Sequence, residues 1–180
     1  MRLDKIRSLI KRRKKGAAIV EFAIVGAMFL LLLLGIVEFG ILFWVDLTMQ
    51  HAVREGGRYA ITGQSNLDPN QSSPQRYRAI IQEMRIASVG IFDSVASSMT
   101  ITVTDSSGIP TTTTYSDPST YTAGMFGGPG DVVALQLNCV WPVMTPLNGL
   151  SLMLGTRPYM SGVGQYTFSV AATMRNEYYQ

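Results

Sequence analysis

The dominant pattern in this chain is an apolar run near its start. From Phe22 to Val37, sixteen consecutive residues carry no charge, which corresponds to about 24 Å of α-helix. A bilayer core is about 30 Å thick, so a spanning helix also needs apolar residues from Ala17–Val20 or from Phe39–Val45. Both stretches are available, and the pattern predicts a membrane-crossing helix.

Helical periodicity continues after this run. Three polar residues recur every four positions and extend the first helix as an amphipathic one to about Thr62; they are Asp46, Gln50 and Arg54. Residues 63–74 are polar and predict a loop. A second helix is expected from Pro74, which is suited to the first helical turn, to about Ser97, with a potential interruption at Gly90.

Alternation of apolar and polar residues predicts an antiparallel sheet of three or four strands. The strands are expected at Met99–Thr104, at Ile109–Tyr115 as a threonine-rich edge, within 131–141 and within 165–174. Two helices against such a sheet make an α+β fold: a long N-terminal transmembrane helix over 17–62 continuing into a domain over 63–180 with a second helix and a small antiparallel sheet.

One apolar segment fits none of these elements. Val140–Leu154, with the sequence VWPVMTPLNGLSLML, is either a contact surface or a plug of the domain core. The residues alone leave both interpretations open.

Charge is concentrated at the N-terminus. Residues 1–16 hold eight basic residues and one acidic residue, for a net charge of +7. The remainder holds seven arginines and eleven acidic residues, for −4, which argues against a nucleic-acid-binding domain. A basic tail can also bind nucleic acid, but an apolar run follows directly, so we expect a membrane flank. Its charged residues are Lys11, Arg12, Arg13, Lys14 and Lys15. By the positive-inside rule, the N-terminus is cytoplasmic and the domain lies outside.

The segment is not an ordinary secretory signal. Such a signal ends its apolar region with a small-x-small cleavage site. Here no such site follows Leu34, and the small residues precede the apolar core at Gly16, Ala17 and Ala18. Cleavage there would leave the apolar helix on the mature protein.

This order of features resembles a prepilin. The basic leader ends in Gly16, a glutamate follows at the fifth position and an aromatic residue at the sixth, Glu21 and Phe22. Within that class, residues 16–40 resemble the TadE/TadG-like pseudopilins of Tad (tight adherence) pilus systems. The segments 53–63 (VREGGRYAITG) and 171–177 (AATMRNE) support the same resemblance.

The resemblance implies a processing step and a pairing. A prepilin peptidase would cut between Gly16 and Ala17, leaving residues 1–16 as a cleaved leader. The new α-amine of Ala17 could then meet Glu21 of a neighbouring subunit. Type IV pilins commonly begin with a methylated Phe, whereas the mature chain here would begin with Ala17. The alternative for Glu21 is an interfacial carboxylate without a special role, since its cost near a membrane edge is small.

Candidate catalytic residues are few. The single histidine, His51, lies in a helical context, and the single cysteine, Cys139, occupies an inward strand position. No spacing of His, Cys, Asp or Glu suggests a metal site, and no glycine-rich loop fits a phosphate. We therefore expect no enzyme activity, no catalytic residue, no cofactor and no metal.

The sequence thus predicts a minor pilin that helps to initiate or support assembly of a Tad pilus through transmembrane helix packing. The expected partners are other minor pilins, the major pilin, prepilin peptidase, the inner-membrane assembly platform and membrane lipid, but no nucleic acid. The expected location is the bacterial inner membrane, in a single pass, or the pilus itself. Two alternatives stay open: a single-pass envelope scaffold or adhesion protein with an uncleaved anchor, and an enzyme with a signal anchor.

Overall fold

The computed structural model describes the backbone of residues 2–143 and 164–178 and the side chains of residues 18–143 and 164–178. Within these residues the elements are α1 (Arg2–Ile61), α2 (Arg76–Ala87), α3 (Phe92–Val95), β1 (Ala96–Thr104), β2 (Pro110–Tyr115), a 3-10 turn (Pro118–Thr120), β3 (Val132–Pro142) and β4 (Gln165–Arg175). The predicted α+β class is confirmed, and the first helix ends within one residue of the expected position.

The four strands form one antiparallel sheet in the order β2-β1-β3-β4. The threonine-rich β2 lies at an edge, as predicted. Strand β1 pairs with β3 only as far as Ala96 opposite Cys139, whereas β3 and β4 pair over their full lengths. The last three residues of β3 and the first three of β4 therefore extend beyond β1; we call these residues, Val140–Pro142 and Gln165–Thr167, the ribbon end.

The domain core forms between the sheet, α2 and the C-terminal part of α1. Its α1 face consists of side chains without solvent exposure at Val45, Met49, Ala52, Val53 and Ala60. Opposite them lie buried residues of α2 and of the inner sheet face, namely Ala79, Ile80, Ile81, Met84, Met99, Ile101, Val133, Leu135, Leu137, Cys139, Val170 and Met174. Alternate residues of β3 are buried, which confirms the predicted inward face of this strand. The domain unit comprises residues 41–143 and the chain from Gly164.

Two glycines permit the close approach of α1 to its neighbours in the core. A Cβ atom on Gly56 would lie 2.3 Å from Cγ of Met84, and one on Gly57 would lie 3.4 Å from Cε of Met174. Gly56 therefore marks the contact of α1 with α2, and Gly57 marks its contact with β4. Packing explains Gly56, which is unfavourable for helix propensity, whereas a Cβ atom on Gly57 would be in ordinary van der Waals contact.

The predicted second helix is wrong in its length. It was expected to run to Ser97, but α2 ends at Ala87, and a separate turn of helix, α3, follows. The backbone turns at Val89 and Gly90, whose φ angles are +56° and +82°. A left-handed conformation cannot continue a right-handed helix. The amphipathic sequence pattern therefore extends past the residue at which the helix ends. Strand β1 accordingly starts at Ala96, earlier than the predicted Met99.

The apolar segment Val140–Leu154 is only partly within the described residues. Val140–Pro142 belong to β3, and residues 144–154 lie outside the described part of the chain.

Candidate functional site

The N-terminal part of α1 is apolar on every side. Each large apolar side chain from Ile19 to Ile41 is exposed, from 42 % at Leu33 to 79 % at Phe22. We call residues 18–44 the apolar half of α1 and residues 45–61 the packed half. A helix that is apolar all round requires lipid or other helices around it, because water would be in contact with a continuous hydrophobic surface.

The helix has the length and composition of a membrane span. Among the described residues, one helix meets both criteria: Ala18–Ile61, with 44 residues and a mean hydropathy of 2.6 over its most apolar window. Its length is about 66 Å, twice the thickness of a bilayer core, so only the apolar half is needed to cross. This helix fits a single-pass membrane protein.

Glu21 and Phe22 are both exposed on the apolar half. Helical spacing places Ile24, Val25 and Met28 on the face of Glu21, so its carboxylate is surrounded by apolar side chains of the same helix. Among the residues whose side chains are described, Glu21 makes no hydrogen bond and no ion pair. Its proposed cation has to come from outside the described side chains of this chain.

The backbone at the predicted cleavage position is part of α1. Gly16 and Ala17 are helical, as is the leader from Arg2. The side chains of residues 1–17, including the basic residues Lys11, Arg12, Arg13, Lys14 and Lys15, lie outside the described ones. Cleavage between Gly16 and Ala17, the role of the leader charge and the roles of Glu21 and Phe22 in assembly stay predictions.

A second carboxylate, Glu38, lies near the other end of the apolar half. It is half-buried, and its Oε1 atom has no hydrogen-bond partner among the described residues. Nearby aromatic side chains, at Phe39, Phe43 and Trp44, are more than half exposed. Their exposure agrees with an aromatic belt at a boundary between membrane and water, where rings of this kind are enriched.

A polar cluster that the sequence reasoning missed ties the ends of the domain together. The guanidinium of Arg76 donates to the carbonyl of Ala60 at 2.7 Å, to the carbonyl of Gly127 at 2.8 Å and to Oδ1 of Asn176 at 2.9 Å. Asn176 is 2 % exposed, and its Nδ2 donates to the carbonyls of Phe126 and Gly128. One signal was available: an arginine opens α2, although cations are unfavourable at a helix N-terminus.

Asp68 organises the loop between α1 and α2. Its side chain is fully buried and forms an ion pair with Nε of Arg78 at 2.9 Å. Burial opposes ionisation of this carboxyl, but donation from the backbone N–H groups of Asn70 and Gln75 and from Arg78 outweighs burial, so the pKa of Asp68 lies below its ordinary value. The role of this residue is structural, because every one of these donors belongs to the loop or to α2.

The residues with catalytic potential are placed as the sequence predicted. His51 is exposed on α1, and Cys139 is 1 % exposed on the inner face of β3. Burial, with a smaller contribution from the negative charge of Asp46, raises the pKa of Cys139 to about 12. Within residues 18–143 and 164–178, no group of three His, Cys, Asp or Glu side chains could hold a metal ion.

A cavity with a volume of about 440 Å³ lies between the β1–β2 edge and residues 122–131. Its one charged lining group, Asp131, accepts a hydrogen bond from the backbone N–H of Gly128 at 2.7 Å. The other lining groups are apolar side chains, hydroxyls and glycine backbone. The cavity thus lacks an acid–base pair or an activated nucleophile among its described lining residues.

Comparison with known proteins gives one match. Residues 16–58 match the model of a protein family described as TadE-like protein. No curated protein and no solved structure matches the chain. The matched segment begins at the predicted cleavage position, covers the whole apolar half and ends just beyond Gly56 and Gly57. The predicted resemblance to the TadE/TadG-like family is confirmed over residues 16–58, which are similar to the family described as TadE-like protein.

Proposed function

We propose that this protein is a minor pilin (pseudopilin) that helps to initiate or support assembly of a Tad-type adhesive pilus by packing its apolar helix against those of other pilins. The observation that carries the proposal is the apolar half of α1, which is exposed on every side and has a single carboxylate near its start. The TadE-like match over the same residues supports it.

Glu21 provides the selectivity of this packing. Removal of the leader after Gly16 would create an α-amine on Ala17, with a reference pKa near 8. That amine and the Glu21 carboxylate of a neighbouring helix carry opposite charges in a surrounding that is otherwise apolar. Their pairing would favour one helix register, because any other register leaves a carboxylate unpaired in an apolar environment.

The proposed topology follows from the charge distribution. The leader stays cytoplasmic, α1 crosses the inner membrane once, and the domain from residue 63 lies in the periplasm or in the pilus. The partners are minor pilins, the major pilin, prepilin peptidase and the assembly platform. The role is structural rather than catalytic; the buried, weakly acidic thiol of Cys139 and the exposed position of His51 support this.

The test replaces Glu21 by Gln in the full chain, expressed with the remaining pilus components. We expect normal insertion and normal leader removal, because the apolar run and Gly16 are unchanged, together with loss of piliation. Glu38→Gln is the matched control, since it removes the other carboxylate of the apolar half, near its far end; it should leave piliation intact.

Two measurements make the result decisive. Mass spectrometry of the mature protein should show a chain beginning at Ala17, whereas a chain beginning at Met1 would favour the uncleaved envelope anchor. Electron microscopy of pili then reports assembly. Normal piliation with Gln at position 21 would remove the pairing role, and equal loss in both variants would show a general sensitivity of the helix to substitution.

A further inference from the structure

The direction of the sheet along α1 is fixed within the domain unit by contacts at both ends. At one end, the N–H of Glu177 donates to the carbonyl of Ile61 at 3.1 Å, and Gly57 faces Met174 of β4. At the other end, Cys139 of β3 belongs to the same buried core cluster as Val45 and Met49 of α1, and the negative charge of Asp46 contributes to the raised pKa of its thiol. The end of the β3–β4 pair that holds Cys139 is therefore directed toward the beginning of the packed half.

The ribbon end continues in this direction beyond the end of β1, and its Trp141 packs, partly buried, against the core. Cys139 pairs with Phe168, and three further residue pairs follow up to Pro142 opposite Gln165. Three residues of strand extend about 10 Å, which equals the rise of about seven helical residues. The ribbon end thus reaches past Asp46 to the level of Ile41–Val45, where α1 exposes Phe43 and Trp44.

The ribbon end has the chemistry of a membrane interface. Trp141 pairs directly with Tyr166, and Tyr166 stacks on Phe168 with ring centroids 5.4 Å apart. Tyr166 is 39 % exposed. The described residues at this end, 140–143 and 164–168, include no charged side chain. Trp and Tyr are enriched at the lipid–water boundary because one part of each ring system is apolar and another part donates a hydrogen bond.

The sequence of the connecting residues agrees with this chemistry. Residues 144–163, whose structure is not described, contain four leucines, three methionines, no acidic residue and one basic residue, Arg157. A strongly charged connection would oppose contact with lipid, and this one does not.

We propose that the ribbon end is a second membrane contact, lying in the headgroup region of the outer leaflet of the same bilayer that α1 crosses, with Trp141 and Tyr166 between the lipids. This inference goes beyond the pilin role; it rests on the membrane crossing of α1 and, for the choice of leaflet, on the proposed orientation of the chain. A domain held at two points has a fixed tilt on the membrane, so the helix would present one face to incoming partners.

The chain offers a direct test, because its two tryptophans are Trp44 and Trp141. Trp44→Phe leaves Trp141 as the single tryptophan of the full chain, and Trp141→Phe leaves Trp44. The control carries both of these changes together with Val132→Trp, which places the fluorophore nine residues up the same strand at an exposed position. Each protein is reconstituted at low density in phosphatidylcholine vesicles with or without lipids brominated near the headgroup end of the acyl chains.

We expect brominated lipid to quench Trp141 to an extent similar to Trp44 and to leave the tryptophan at position 132 unquenched. Quenching of Trp141 no greater than that at position 132, with Trp44 quenched, would overturn this inference and leave the membrane span intact. Absence of quenching at Trp44 would overturn the span and the inference together. Trp141 fluorescence that brominated lipid does not quench, with an emission maximum that shifts as the protein density in the vesicles rises, would assign the ribbon end to contact with a second copy of the chain instead.

Discussion

Both halves of α1 contain methionine and glycine residues, but the surroundings of these residues are opposite. In the apolar half, Met28 is 67 % exposed and a Cβ atom on Gly40 would meet nothing within 4 Å. In the packed half, Met49 is fully buried and a Cβ atom on Gly56 would overlap Met84. The same residue types therefore have different roles. In the packed half they stabilise the domain, whereas in the apolar half they are exposed and available to lipid or to other proteins.

The largest expected effect comes from the methionine pair. Met49→Ala should lower the free energy of unfolding of the domain by about 2–5 kcal/mol, because it removes a buried side chain and leaves a cavity. Met28→Ala is the matched control and should leave that free energy unchanged. Denaturant unfolding of the full chain in detergent, followed by near-ultraviolet circular dichroism, measures both. Equal destabilisation by the two changes would show that the halves do not differ in this way.

A smaller effect is expected from the glycine pair. Gly56→Ala should destabilise the domain by about 1–3 kcal/mol, since the added methyl group forces Met84 out of its place against α1. Gly40→Ala has open space and should leave the domain stability unchanged. Combining Gly56→Ala with Met84→Ala should recover part of the loss, because the second change removes the overlapping side chain. A neutral Gly56→Ala would contradict the close contact between α1 and α2.

The smallest expected effect is a pH dependence of the domain's free energy of unfolding that originates in Asp68. The pKa of Asp68 is lowered in the folded state, so its ionised form stabilises the domain above the ordinary carboxyl pKa of about 3.9. This contribution is lost as the pH falls through the lower, folded pKa. Asp68→Asn should lower the free energy of unfolding at neutral pH. It should also weaken the decrease of this free energy below pH about 4.

Arg78→Gln provides the companion measurement for Asp68. It leaves the carboxyl in place but removes its ion pair, so the pKa of Asp68 should rise toward its ordinary value. The loss of stability on acidification should therefore begin at a higher pH. Unfolding curves recorded across the acid range report both variants. Wild-type behaviour of Asp68→Asn at every pH would show that the buried pair contributes no net stability.

Local patterns predicted most of the elements, because periodicity reports which side chains share a face. The end of α1, the edge position of β2 and the inward face of β3 follow from sequence spacing alone. The end of α2 does not, because Val89 adopts a left-handed conformation that β-branched residues rarely favour. The placement of β1 between β2 and β3 also depends on packing rather than on any local signal.

The candidate site divides in the same manner. Glu21 stood out because a carboxylate in an apolar run is locally conspicuous. Arg76 and Asn176 did not, since their contact joins residues one hundred positions apart and neither residue type is unusual on a protein surface. A residue that is conspicuous in its local context can be proposed from the sequence, whereas residues that close a fold are recognised only by their contacts.

The cluster around Arg76 also has a consequence for biogenesis. It joins the carbonyl of Ala60, at the end of α1, to Asn176, beyond the last strand, and the sheet places β4 as the partner of β3 alone. Loop closure over such sequence separations is slow. During synthesis, the domain therefore cannot reach its native state until residues near 176 are available. Until then, the inner faces of β1 and β3 stay open to proteases and chaperones, so synthesis and completion of the domain are successive rather than simultaneous steps.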